Sequence, residues 1–277
     1  MKNPALSLLI LCFSLSYFAN AQDFNKPSPN SDYKIGLDYY QQNDYVAALP
    51  FLQRAADNHD ADGQYTLGIM YLLGQGVTQD NIKAQTLFQQ SAEQGHLDSQ
   101  YNLALLLAQH KHIKEAIGWF EKAATQGSAD AQHNLGVIYY KGLGVTADYQ
   151  QAFKWYQLAA AQNNPYSLVA LADLYRTGTG TTQNFVQAFN LYKRAAISGY
   201  PVALSTLSGA YFYGLGTKAD PVKAYALACY AALYDEPEAS FAENKQFVGQ
   251  NLSEQQKQQA NTLFEELQHN LNIIEQW

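Results

Sequence analysis

Apolar and small residues recur along this chain at helical spacing, in blocks that themselves recur. Gln64, Leu67, Gly68 and Tyr71 stand at i, i+3, i+4 and i+7, which is one face of a helix. Ala84, Leu87, Phe88, Ser91 and Ala92 mark one face of a second helix, and Gly74-Gln75-Gly76-Val77 between them forces a turn. The pattern returns in register. Ile35, Leu67, Leu103, Leu135, Leu171 and Leu207 hold one position, separated by 32, 36, 32, 36 and 36 residues. Ala48, Ala84, Ala116, Ala152, Ala188 and Ala224 hold a second. Such a period predicts stacked helix-turn-helix units rather than one closed core.

The punctuation agrees with these units. Asp80, Asp148, Asn184 and Asp220 stand where a helix N-cap is needed, with Pro221 at the first helical position after the last of them. Gly95, Gly127, Gly199 and Asn163 stand where second helices should end in a left-handed residue. The first and third units have 13 residues between the two marker positions where the others have 17, which predicts shorter interhelix turns. One slot holds only small residues, Gly36, Gly68, Ala104, Gly136, Ala172 and Ser208, so close approach of the paired backbones is expected there. Each such glycine costs about 1 kcal/mol against alanine in a helix. The repeat stops after Tyr234. Glu236 to Gly249, with Pro237, reads as a connecting segment. Ser253-Glu254-Gln255-Gln256 is a capping box, and Ala260, Leu263, Phe264, Leu267, Leu271 and Ile274 make one apolar stripe, as a terminal capping helix requires.

Composition narrows the partners. Net charge is -7, which disfavours nucleic acid and anionic lipid surfaces. The 21 tyrosines supply rigid contact area suited to packing or to recognition. Residues 1–21 read as an export signal: Lys2, an apolar run from Ala5 to Phe18, and an Ala19-Asn20-Ala21 cleavage site. That run is shorter than the roughly 20 residues a spanning helix needs, so no membrane span is expected after cleavage; a retained anchor is the competing reading. Leu11 before Cys12 argues against lipidation. Residues 22–30, with Pro27 and Pro29, read as a flexible lead. The mature chain would keep Cys229 alone, buried among Ala228, Tyr230 and Ala231, so no intramolecular disulfide can form. The expected location is periplasmic or extracellular.

Motifs for catalysis are sparse. No G-x-S-x-G or Walker sequence occurs. Gly74-Gln75-Gly76 and Gly178-Thr179-Gly180 lack the third glycine of a dinucleotide loop and read as interhelix turns. His110 and His112, with His96 and His133 in neighbouring units, are the candidate metal ligands. Residues at i and i+2 face different ways on a helix, so solvated turn histidines are the favoured reading. No catalytic residue, cofactor or metal is assigned.

The fourth unit spells a motif nearly in full, through Ala131, Leu135, Gly136, Tyr139, Gly142, Gly144, Val145, Asp148, Ala152, Trp155, Tyr156, Ala159 and Ala160. It resembles the Sel-one-like repeat family, α/α solenoids related to tetratricopeptide repeats, across residues 31–235, with residues 236–277 as linker and cap. The resemblance implies an all-α, right-handed superhelical solenoid of about six helix-turn-helix repeats with a C-terminal capping helix. It implies scaffold and adaptor roles, and a concave face lined by the first helix of each unit. On that helix, opposite the packed stripe, stand Tyr33, Tyr40, Tyr65, Tyr101, His133, Tyr140, Lys141, Arg176 and Tyr213. These read either as a groove for a protein or peptide partner, possibly envelope-associated, or as packing between repeats. The expected function is that of an exported, non-enzymatic scaffold. The rival expectation is binding or hydrolysis of peptidoglycan-like envelope material, as proposed for the family's cysteine-rich branch. A purely structural spacer is a third.

Overall fold

The computed structural model describes residues 31–234 and 241–277. The expected signal at 1–21, the lead at 22–30 and the part of the connecting segment around Pro237 lie outside the described residues. Six helix pairs follow one another: α1 (Ser31–Gln41) with α2 (Tyr45–Asp57), α3 (Ala61–Leu73) with α4 (Asn81–Glu93), α5 (Leu97–Gln109) with α6 (Ile113–Thr125), α7 (Ala129–Lys141) with α8 (Tyr149–Ala161), α9 (Pro165–Thr177) with α10 (Phe185–Ile197), and α11 (Pro201–Tyr213) with α12 (Pro221–Ala231). Then come α13 (Phe241–Gln250), α14 (Glu254–His269) and a 3₁₀ segment (Leu271–Gln276). No strand occurs among the described residues. The chain divides into two compact units, residues up to 135 with 143–145, and 136–142 with 146–277.

The helix ends follow from local chemistry. Asp80, Asp148, Asn184 and Asp220 accept hydrogen bonds from backbone N–H groups of the first turns of α4, α8, α10 and α12. Gly95, Gly127, Gly199 and Asn163 all have positive φ. So do His59 in the first interrepeat turn and Asn43 and Lys111 in the two short turns, all residues with a Cβ. Gly76 shows why its turn needs glycine: φ is 67°, and a Cβ there would stand 2.8 Å from the Tyr45 backbone.

Packing in the first unit shows how repeats share a core. Ala48, Leu52 and Ala56 of α2 bury Leu67 and Met70 of α3 together with Leu87 of α4. One repeat's second helix therefore covers the next repeat's first. The leading repeat has nothing before it in the described chain, and its register reflects that. Asp38 is exposed at the position that Met70, Leu106, Ile138, Leu174 and Ala210 occupy in the interior. Ile35 is 40% exposed where Leu67 is 0%. A charged residue at this register makes that face of α1 compatible with solvent.

The small-residue slot departs at two positions from the close backbone approach expected. A Cβ on Gly68 would stand 2.7 Å from the Phe88 ring, and one on Gly136 would strike the Tyr156 ring. At these two positions the slot makes room for a ring of the paired helix; at Gly36 a Cβ would stand 2.7 Å from the Leu52 side chain and 3.1 Å from its backbone nitrogen, so there the backbones do approach closely. Ser208, whose partner position is Ala228, instead donates its hydroxyl to Ala224 O at 2.7 Å. Close approach between repeats occurs at a second slot. At Gly63 a Cβ would stand 2.7 Å from the Ala55 Cβ and 3.2 Å from its carbonyl carbon. In the next repeat the same slot is Ser99, whose hydroxyl meets the Ser91 hydroxyl at 2.7 Å.

Polar side chains seal these junctions. Gln64, Gln100 and Gln132 are buried, and their Nε2 atoms donate to Ala56 O, Ala92 O and Ala124 O at 3.3, 3.2 and 3.0 Å. These carbonyls already accept the backbone N–H of His59, Gly95 and Gly127 at 3.0, 3.0 and 3.1 Å, so each glutamine adds a second bond that ties the next repeat to a helix end. In the second unit Leu168 stands at this register, and Arg194 supplies the bond instead, donating to Ala160 O at 2.9 Å.

The C-terminal region departs from expectation in two ways. Residues 241–250, read as connecting chain, form helix α13, which packs on α11 and α12. Phe241 and Val248 are buried and anchor it. The capping box at Ser253–Gln256 is present, but the apolar stripe is not one helix. Asn270 adopts an extended conformation and its side chain accepts from Asn272 N, so Leu271 and Ile274 enter a 3₁₀ segment that packs on α10 and α14. The cap is two helices and a turn.

Candidate functional site

The nine first-helix candidates fall into distinct environments. Tyr101 and His133 are each 6% exposed and do not face open solvent. The Tyr101 ring packs on Phe120, and its hydroxyl accepts from Asn134 Nδ2 at 3.3 Å. Burial pushes the His133 imidazole down to about 4, so it is neutral at pH 7 and carries no charge for a partner. Tyr33, Tyr40 and Tyr65 are half-buried. Burial and the nearby Asp62 carboxylate push Tyr33 up to about 12. Tyr40 donates to Gln75 Oε1 at 2.9 Å, and burial pushes it to about 12. Tyr65 stacks on His96 at 4.8 Å. These three are committed to inter-repeat packing while keeping one exposed edge.

In the second unit the candidates open outward. Tyr140 is 41% exposed, its ring edge-on to Tyr149, and Lys141 is exposed beside it. Arg176 and Tyr213 are brought together. They line a half-open cleft of about 230 Å³ among α9, α10 and α11, together with Phe185, Ala188, Phe189, Tyr192, Thr206, Gly209, Ala210 and Leu215. Tyr213 is 62% exposed and Leu215 36%, so the lip is open to solvent. Tyr213 also meets Phe212 at 5.0 Å and the exposed Phe247 at 6.5 Å, extending the aromatic surface onto α13.

The polar edge of this cleft is a hydrogen-bonded network of Arg176, Asp173 and Tyr192. Arg176 Nε and Nη2 donate to Asp173 Oδ1 at 3.1 and 2.9 Å, and Nε also donates to the Tyr192 hydroxyl at 3.3 Å. That hydroxyl donates in turn to Asp173 Oδ1 at 2.7 Å. Burial and the Asp173 charge push the Tyr192 phenol well above its usual range, so it stays protonated as a donor. The network holds the guanidinium in place.

Sequence reasoning missed Phe185, Phe189, Gly209 and Leu215. The signal was available at Gly209: the other repeats place Leu37, Ile69, Leu105, Val137 and Asp173 at that register. A Cβ on Gly209 would meet nothing within 4 Å, so this glycine leaves empty space where its equivalents place a side chain.

The histidines considered for metal have structural surroundings. His96 caps α5 through Nδ1, accepting from Ser99 N at 3.2 Å, and its Nε2 lies 3.2 Å from Asp62 Oδ1. His110 and His112 are exposed at the ends of α5 and α6. Among the described residues no group of three or more His, Cys, Asp or Glu could hold a metal ion. Among them, too, no helix is long and apolar enough to cross a membrane. Cys229 is buried, and burial pushes its thiol up, away from reactive thiolate.

Comparison with solved structures places the architecture among repeat proteins. The chain is similar to a Sel1 repeat protein from Oxalobacter formigenes, with 26% identity and a TM-score of 0.69 over 73% of this chain and 82% of that one. It is also similar to c5321, a protective antigen of uropathogenic Escherichia coli strains displaying an SLR fold. Identity there is 27% and the TM-score 0.57, over 88% of this chain and 62% of that one. Among curated proteins none matches. The family model described as Sel1 repeat matches residues 33–60, 61–96, 97–128, 129–164, 165–200 and 202–233, one match per helix pair. With its six pairs matched in register, the chain belongs to the Sel1 repeat family.

Proposed function

We propose that this protein is an exported, non-enzymatic repeat scaffold that binds a protein or peptide partner through the face formed by the first helices of its repeats. The observation that carries this reading is the open aromatic surface of the second unit, where Tyr140, Tyr213 and Phe247 are 41%, 62% and 46% exposed. Rigid rings exposed beside apolar residues supply contact area at low entropic cost, which is how interface anchors work. The repeat scaffold supports protein partners as a class. The export signal read at residues 1–21 supports action outside the cytoplasm, in the periplasm or beyond.

The test is site-specific photo-cross-linking in cells. A benzophenone side chain placed at Tyr140 or Tyr213 is expected to trap a discrete protein adduct, while one at Gln89, exposed on a second helix, is not. Equal adducts at all three positions, or none at Tyr140 and Tyr213, would refute the reading. Mass spectrometry of the same material checks export: the mature chain should begin at Gln22.

A further inference from the structure

Taking the first-helix face as the binding face, we propose that the cleft over Gly209 is an anchor site for a peptide. It takes one bulky apolar side chain of the peptide onto Gly209, and a carboxylate of the same segment onto Arg176.

Size selects the occupant. Pockets for cofactors and drug-sized ligands run from about 300 to 1,000 Å³. At about 230 Å³ this cleft is smaller and suits a single anchoring side chain. Its walls are the rings of Phe185 and Phe189, two alanines and Leu215, which reward an aliphatic or aromatic group and offer a sugar few hydrogen-bond partners.

Charge selects what lies beside that side chain. Arg176 is the one charged residue among those lining the cleft. The whole chain carries a charge of -7, so its long-range field repels polyacidic proteins. A single carboxylate next to an apolar anchor satisfies both conditions. The guanidinium is prepared for it. Asp173 and Tyr192 engage Nε and Nη2, and none of those bonds uses Nη1. Asp173 and Tyr192 are thus positioning residues: Asp173 already pairs with the guanidinium through Nε and Nη2, and a peptide carboxylate would be the second acceptor, at Nη1. The site is particular to this repeat, because the register of Arg176 is Tyr40, Leu72, Ala108, Tyr140 and Phe212 in the others.

The experiment uses a phage-displayed library of random twelve-residue peptides selected on the full mature chain. Selected peptides are synthesised, and their affinities measured by fluorescence anisotropy. The selected set should share an aromatic or branched apolar residue within a position or two of an acidic residue or the C-terminal carboxylate. Gly209→Leu puts a side chain into the space left open at this lining residue and should weaken these peptides about tenfold or more. Arg176→Gln should weaken them about tenfold, and replacing the peptide carboxylate by an amide should cost the same factor in the wild type but almost nothing in Arg176→Gln. Circular dichroism checks folding, and Gly209→Ala, which meets no neighbour, is the milder variant if leucine is not tolerated. Peptides indifferent to the Gly209 and Arg176 variants but weakened by Tyr65→Ala or Tyr140→Ala would overturn the cleft assignment and leave the first-helix face standing. Peptides indifferent to all four changes would overturn both.

Discussion

Replacing His133 by tyrosine should remove a pH dependence whose size follows from burial. His133 is 6% exposed, and its folded pKa lies near 4 against 6.5 for a solvated imidazole. Because the folded value is depressed, the unfolded chain takes up the proton first as pH falls. The stability tied to a neutral His133 is complete above pH 6.5 and is lost as pH drops toward 4. The drop from 6.5 to about 4 corresponds to about 3 kcal/mol in all, of which about 2 kcal/mol is already lost at pH 5. Tyrosine is the natural replacement, since Tyr33, Tyr65 and Tyr101 stand at the same register in the preceding repeats. Urea unfolding of both proteins from pH 4 to 7.5 isolates the effect, because the other titrating groups are common to both and cancel in the difference. The wild-type-minus-variant stability should fall by about 3 kcal/mol across that range. A flat difference would mean that His133 is charged or solvated in the folded chain.

Other substitutions separate the packing arguments. Gly68→Ala drives a Cβ into the Phe88 ring at 2.7 Å and should destabilise by about 1–3 kcal/mol of overpacking, less about 1 kcal/mol of helix propensity. Gly209→Ala meets nothing and should stabilise by about 1 kcal/mol, so thermal unfolding should move the two variants in opposite directions. Gln100→Ala removes one of the bonds to the Ala92 carbonyl, which keeps the Gly95 N–H at 3.0 Å, and should cost about 0.5–1.5 kcal/mol by urea unfolding. Lys111, with φ of 68°, should give about 1 kcal/mol of stability when replaced by glycine, and an unchanged midpoint would show that its left-handed conformation carries no strain.

The repeats were legible because a stacked architecture writes the same constraint many times. Six alanines in phase, aspartate and asparagine caps, and glycine or asparagine at helix ends each repeat a local requirement, and the structure meets them in place. What one copy alone decides was less legible. Helical period assigns Tyr101 and Tyr140 to the same general face, yet Tyr101 is 6% exposed and Tyr140 41%. Period tells which way a side chain points but not how far the neighbouring helix lies over it. The small-residue slot was visible in sequence, but its meaning required the partner position, where Phe88 and Tyr156 place rings. Helix α13 was hidden because it is short and its polar residues outnumber its anchors. The cleft was hidden because it is a departure, one glycine in a column otherwise filled by Leu37, Ile69, Leu105, Val137 and Asp173.

All of this depends on adjacent hairpins hiding one another's apolar faces. A synthetic peptide of residues 61–96, one matched repeat, tests it directly by far-ultraviolet circular dichroism. Removed from Ala48, Leu52 and Ala56 of the preceding pair, its Leu67 and Met70 have no cover, and two helices of 13 residues are marginal alone in water. The peptide should be largely unfolded, with no cooperative melt, under conditions where the whole chain is helical. A helical peptide that melts cooperatively by itself would contradict the account.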